Sequence, residues 1–80
     1  MSWSLEWEAA AEEALKRLPS WQAAARVSRA VIEFAHTGQG DFRQVGEGPE
    51  YRLYVGAYVV RLGFDTRARI IHVWGVFPRG

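Results

Sequence analysis

Four side chains in the second half of the sequence suit phosphate chemistry: Arg52, Tyr54, Arg61 and Arg79. A guanidinium group binds two phosphate oxygens at once and does not lose its proton. Cleavage of RNA by attack of a 2′-hydroxyl needs that charge stabilisation together with a group that moves protons. Tyr54 is a modest candidate for the second task, because a phenol is a weak acid. The alternative is an ordinary solvated strand face with arginines guarding its edges.

Other kinds of chemistry are excluded or disfavoured by composition and spacing. The chain has no cysteine, which excludes disulfides, thiolate zinc sites and a thiol nucleophile. The glycines between residues 38 and 48 match neither a dinucleotide-binding nor a phosphate-loop spacing. His36 and His72 are 36 residues apart and have no obvious carboxylate partner. We therefore expect no metal and no cofactor.

The distribution of charge is more informative than its total. The formal net charge is only +1, from ten bases, nine of them arginine, and nine acids. Residues 1–40 carry four bases and five acids, whereas residues 51–80 carry five bases and one acid. A basic C-terminal part with interleaved tyrosines indicates a surface for nucleic acid.

The pattern of apolar residues predicts the elements that position these side chains. Alternation from Trp3 to Trp7 predicts a short strand, and helical spacing then predicts a helix that Pro19 ends. Ser20 is a good N-cap for a second helix, and Gly38 suits its C-terminal end. These two helices should form an antiparallel hairpin.

Four strands are predicted after the helices, at residues 41–45, 51–55, 58–64 and 69–77. Gly56-Ala57 suits a two-residue type II′ turn. The predicted fold is a single α+β domain, residues 1–80, of order β-α-α-β-β-β-β. A helical hairpin covers one face of a mostly antiparallel four-stranded meander. Arg52, Tyr54 and Arg61 then project from the uncovered face.

The heavy aromatic content, eleven residues in eighty, has two interpretations. The simpler one places the large rings in or beside the core. The other is a groove for a partner helix, since exposed tryptophan favours interfaces. The residues concerned are Trp3, Trp7, Trp21, Phe34, Tyr58, Phe64 and Trp74.

Several short motifs occur in an order that resembles one protein family over nearly the full length of the chain. They are Leu5-Glu6-Trp7, a helix ending in Leu18-Pro19, the segment RQVG at residues 43–46, the run YRLYVGAY at residues 51–58, and Phe64-Asp65 before a last strand. Their order and spacing resemble the RelE/ParE superfamily, the toxins of type II bacterial toxin–antitoxin pairs.

The resemblance implies a RelE/ParE-like toxin that inhibits translation by ribosome-dependent, metal-independent cleavage of mRNA. It implies an antitoxin protein, the ribosome and mRNA as partners. The implied catalytic residues are Arg52, Tyr54, Arg61 and Arg79, and the implied RNA-binding residues are Arg43, Arg52, Arg61 and Arg79. Tyr54 and Val59 stand where the family usually has a base, and Arg61 lies on the same face as Val59.

Two other functions stay open at this point: a toxin that binds DNA gyrase without chemistry, and an inactive relative that binds only its antitoxin.

The N-terminal residues carry acids rather than a basic region, so we expect no signal peptide. No stretch reaches the ~18 apolar residues of a membrane span. We therefore expect a cytoplasmic protein with no membrane partner.

Overall fold

Seven elements follow one another in the order that the sequence predicts, one strand, two helices and four strands. A computed structural model describes residues 2–79; Met1 and Gly80, the two ends of the predicted domain 1–80, lie outside the described residues. The elements are β1 (Ser4–Trp7), α1 (Ala9–Lys16), α2 (Trp21–Thr37), β2 (Asp41–Gln44), β3 (Glu50–Val55), β4 (Tyr58–Asp65) and β5 (Ile70–Pro78).

The sheet differs from the predicted one in strand number and direction. It has five strands in the order β1-β5-β4-β3-β2. Strands β2 to β5 pair antiparallel with their neighbours in sequence, but β1 pairs parallel with β5, with Leu5 opposite Ile71. The prediction of a mostly antiparallel four-stranded meander was therefore wrong for the sheet as a whole, which has five strands and is mixed because β1 joins it parallel to β5. Alternation identifies a strand, but it carries no information about its partner or direction.

Local signals place the ends of α2 correctly. The Ser20 hydroxyl accepts a hydrogen bond from the backbone N–H of Ala23 at 3.1 Å, as an N-cap should. Gly38 follows the helix with φ of +75°, in the left-handed region that favours glycine. Neither helix within residues 2–79 has the length and apolar character needed to cross a membrane.

Both helices bury their apolar stripes against the same face of the sheet. Burying one large apolar side chain contributes about 1.5–3 kcal/mol, so this layer supplies most of the driving force for folding. The core residues are Ala11, Val27, Val31, Phe34, Ala35, Leu53, Val55, Val60, Leu62, Ile71, Val73 and Val76.

Trp21 is not among the core residues. It is 76% exposed at the start of α2, so the interpretation that places every large ring in or beside the core is wrong for Trp21.

The opposite face, which the helices leave uncovered, is shaped by a β-bulge in β5. Arg61 pairs with Gly75 and Leu62 pairs with Val73, so Trp74 is the extra residue. A side chain at Gly63 would overlap the Trp74 ring. At Gly75 a Cβ would lie 2.8 Å from Cε2 of Phe77. These two glycines let both aromatic rings lie close to the sheet.

Candidate nucleic-acid interface

Three of the predicted RNA-binding residues form a straight row across the uncovered face. Arg52 on β3 is directly opposite Arg43 on β2 and directly opposite Arg61 on β4. Neighbouring strands lie about 4.8 Å apart, so the row spans roughly 10 Å at the backbone. Arg43, Arg52 and Arg61 are called the arginine row below. Nothing in the composition predicts this row, which requires the register of three strands.

Tyr54 and Arg79 lie beside the arginine row. Tyr54 is two residues along β3 from Arg52, and the guanidinium carbons of Arg43 and Arg79 lie 5.5 and 4.8 Å from its ring centre. Arg79 follows β5, where its backbone N–H donates to the carbonyl of Ala57 at 2.8 Å. The last strand therefore brings Arg79 back to the β3–β4 turn, and all five predicted site residues come together.

A shallow pocket of about 320 Å³ occupies this part of the face. Its lining combines three guanidinium groups, one phenol and three apolar side chains: Arg52, Tyr54, Val59, Arg61, Phe77, Pro78 and Arg79. Among these lining side chains Tyr54 alone can both donate and accept a proton. Phe77 is 44% exposed, and the Arg61 guanidinium carbon lies 5.8 Å from its ring centre. An exposed ring beside guanidinium groups is a surface on which a nucleobase can stack.

Glu50 is a neighbour of the predicted site residues that sequence reasoning missed. Arg61 donates from Nε to Glu50 Oε2 at 3.0 Å and from Nη2 to Oε1 at 2.8 Å, a bidentate ion pair. Arg52 Nε donates to the same Oε2 at 3.5 Å. The predicted strand begins at Tyr51, one residue too late, which left Glu50 in the preceding loop. Glu50 lies two residues before Arg52, and in a strand that spacing places both side chains on one face. This spacing was the signal that could have identified Glu50.

The ion pair shifts the pKa of both partners. The hydrogen bonds from Arg61 and its positive charge, with a smaller contribution from Arg52, lower the pKa of the Glu50 carboxyl, although partial loss of water opposes the shift. The hydrogen bond to Glu50 raises the pKa of Arg61. At neutral pH the pair is therefore fully charged, and the carboxylate neutralises part of the arginine row.

The two ends of the basic surface are less neutralised than its middle. Arg43 lies 3.6 Å from Asp41, but both side chains are more than half exposed, so this pair contributes little. No carboxylate of residues 2–79 lies within 4.0 Å of the Arg79 guanidinium. Among residues 2–79 the face therefore keeps a net positive charge.

The structure brings one group of metal-ligating type together within the described part of the chain. Glu6, Glu8 and His72 have ligand atoms within 4.8 Å of one another at the β1 edge of the sheet. The His72 Nδ1 is 4.0 Å from Glu6 Oε1, so this histidine does have carboxylate neighbours, which the sequence did not indicate. Both glutamates are exposed, as is usual for surface acids.

Comparison with known proteins identifies the fold. No protein-family model matches the sequence, and no curated protein matches it significantly. Three solved toxin–antitoxin complexes contain a chain of the same fold. The archaeal RelE–RelB complex of Pyrococcus horikoshii matches with a TM-score of 0.82 and 21% identity over 100% of this chain and 98% of that one.

The other two complexes come from different organisms. The toxin–antitoxin complex RelBE2 of Mycobacterium tuberculosis matches with a TM-score of 0.76 and 17% identity, over 99% of this chain and 100% of that one. The RelB–RelE complex of Methanococcus jannaschii matches with a TM-score of 0.64 and 17% identity, over 91% and 88%. The chain thus has a RelE-like α+β fold, which confirms the predicted fold type.

The Glu50–Arg61 pair predicts a measurable dependence on pH. The Glu50 carboxyl should titrate below its ordinary pKa of 4.5, and Arg61→Ala should raise that pKa toward 4.5 more than Arg52→Ala does. Because the folded-state pKa is lowered, the stability that the pair contributes is present at neutral pH and is lost as pH falls through that pKa. Side-chain carboxyl ¹³C shifts followed by NMR give the pKa directly. A wild-type Glu50 that titrates at 4.5 would contradict the bidentate pair.

Proposed function

We propose that this chain is the toxin of a toxin–antitoxin pair and that it stops translation by cutting mRNA on the ribosome. The observation that carries the proposal is the arginine row beside Tyr54 and Arg79 on the uncovered face of a RelE-like fold. A polyanion is the ligand that such a row suits best, because each added phosphate relieves repulsion between neighbouring guanidinium groups. A ribosomal target places the reaction in the cytoplasm.

The chemistry proposed for this face is transesterification within the RNA. The 2′-hydroxyl of one nucleotide attacks the adjacent phosphorus, and the bond from phosphorus to the 5′-oxygen of the next nucleotide breaks. Negative charge builds on the phosphoryl oxygens in the transition state, where Arg52, Arg61 and Arg79 stabilise it. Tyr54 exchanges protons with the attacking or leaving oxygen. The products are a 2′,3′-cyclic phosphate and a 5′-hydroxyl, and no metal takes part.

A surface along α2 supports an antitoxin partner, and its smaller cavity also reaches Tyr54. Two adjoining cavities of about 400 and 510 Å³ lie along α2 and share Arg26 and Arg29. The exposed Trp21 lines the larger one. No carboxylate of residues 2–79 lies within 4.0 Å of either guanidinium. Exposed tryptophan beside unpaired arginines suits an acidic peptide with an apolar anchor.

Ribosome-dependent cleavage predicts a specific loss of activity in two variants. Purified protein added to ribosomes translating a defined mRNA should produce cuts in the codon of the A site. Arg52→Ala and Arg61→Ala should each lower the cleavage rate by about 10²-fold, the usual effect of removing one group that stabilises transition-state charge. Primer extension on the mRNA maps and quantifies the cuts. Arg67→Ala, in the turn between β4 and β5, is the matched control and should cleave normally.

Two results would contradict the nuclease. One is intact mRNA at every protein concentration. The other is cleavage that survives both arginine substitutions. Intact mRNA together with loss of gyrase supercoiling would favour the gyrase-binding alternative instead.

Tyr54→Phe tests the proton transfer, because it keeps the ring between the guanidinium groups and removes only the hydroxyl. We expect the cleavage rate to fall by about 10²-fold or more.

The α2 surface predicts where an antitoxin binds this chain. The reading frame next to this gene should encode a protein that binds the chain and relieves its toxicity. Arg29→Glu should weaken that binding by about tenfold or more through like-charge repulsion, while mRNA cleavage stays unchanged. Arg67→Glu makes the same charge change in an exposed turn and should bind normally. Calorimetric titration of each variant measures the affinity, and equal affinities for the two variants would rule out this docking surface.

A further inference from the structure

The arginine row is an unfavourable arrangement until an anion joins it. Side chains directly opposite in an antiparallel pair are close, and like charges there are destabilising. Arg52 has such a neighbour on each side. Glu50 lies one step diagonally from Arg61 on the same face, since it pairs with Gly63. The carboxylate is therefore placed to offset the repulsion between Arg52 and Arg61.

The contacts of Glu50 are those that a phosphate needs. Its two oxygens accept from Nε and Nη2 of Arg61 at 3.0 and 2.8 Å. This is the edge of the guanidinium that binds two oxygens of a carboxylate or a phosphate in parallel. The two anions therefore compete for the same donor atoms. An RNA phosphate gains the full bidentate contact with Arg61 only when the carboxylate leaves.

We propose that Glu50 is a resident counter-anion of the arginine row, and that an RNA phosphate binds Arg61 by displacing it. The inference rests on the proposed function for its ligand, a single-stranded RNA backbone. Glu50 is a positioning residue here: it acts on the phosphate only through Arg61. It lowers the affinity of the face for RNA, because the phosphate must displace it.

Displacement is feasible because the pair reaches solvent. The Glu50 side chain is 21% exposed and the Arg61 side chain 40%, so the carboxylate can turn outward without unfolding. The Phe77 ring, 5.8 Å from the Arg61 guanidinium carbon, keeps a partner for that cation when Glu50 leaves. Arg79, free of any carboxylate within residues 2–79, offers the first contact to an approaching phosphate.

The test compares two isosteric substitutions that change net charge equally. Glu50→Gln removes the counter-anion, whereas Glu47→Gln removes an exposed acid of the β2–β3 turn that has no cation within 4.0 Å among residues 2–79. Binding of a short fluorescein-labelled single-stranded RNA is measured by anisotropy over a range of salt concentrations. Free RNA in the absence of ribosomes is used, so the result does not depend on cleavage.

Glu50→Gln should bind the RNA about two- to fivefold more tightly than wild type at low salt, the range expected for loss of one exposed ion pair. The slope of log K against log salt should steepen by about 0.7, because one more arginine charge releases counterions from the RNA. Glu47→Gln should change neither quantity appreciably. In an Arg61→Ala background, the effect of Glu50→Gln should largely disappear.

Equal effects of Glu50→Gln and Glu47→Gln would overturn the inference, because they would show a response to net charge alone. Weaker binding by Glu50→Gln would also overturn it and would make Glu50 a structural support of Arg61. Absence of RNA binding by wild type and Glu50→Gln alike would exclude phosphate binding by the row. Intact mRNA on ribosomes together with the predicted Glu50 effect would instead overturn the nuclease activity and leave the counter-anion in place.

Discussion

The pairing register of β3 holds like charges together on one face because it is fixed by apolar contacts on the other. Leu53, buried beneath the helices, pairs with Phe42 on β2 and with Val60 on β4. A slip of one residue would turn Leu53 toward water, so the core strongly specifies this register. The same register sets Arg52 opposite a second arginine on each neighbouring strand. The free energy of core burial thus maintains a surface that electrostatics alone would not assemble.

Such a surface is suited to binding a polyanion. Stability and function often conflict at sites where charges are held in unfavourable proximity, and binding the ligand resolves the conflict. In this chain Glu50 offsets part of the repulsion before any ligand arrives. Trp74 and Phe77 lie close to the sheet over two glycines, and Phe77 places an apolar ring beside Arg61. The bulge in β5 therefore helps to shape the site, because it sets the positions of these rings.

Features decided by local chemistry could be predicted from the sequence, and features decided by register could not. The cap at Ser20, the left-handed Gly38 and the turn at Gly56, with φ of +57°, each follow from one or two residues. The position of Arg52 on the uncovered face follows from alternation along one strand. The Glu50–Arg61 pair joins residues on two strands along a diagonal, so it depends on a register that no single segment encodes. The parallel pairing of β1 with β5 is a long-range contact of the same kind.

The central claim is that phosphate binds at the arginine row, and the side-chain Nε–H resonances of the nine arginines test it most directly. Titration of ¹⁵N-labelled protein with a short single-stranded RNA should shift the signals of the row, Arg43, Arg52 and Arg61, and the signal of Arg79 beside it. Arg29, on α2, should keep its position. A shift of the Arg29 signal, with the signals of the row and of Arg79 unchanged, would contradict the account and would place nucleic acid on α2.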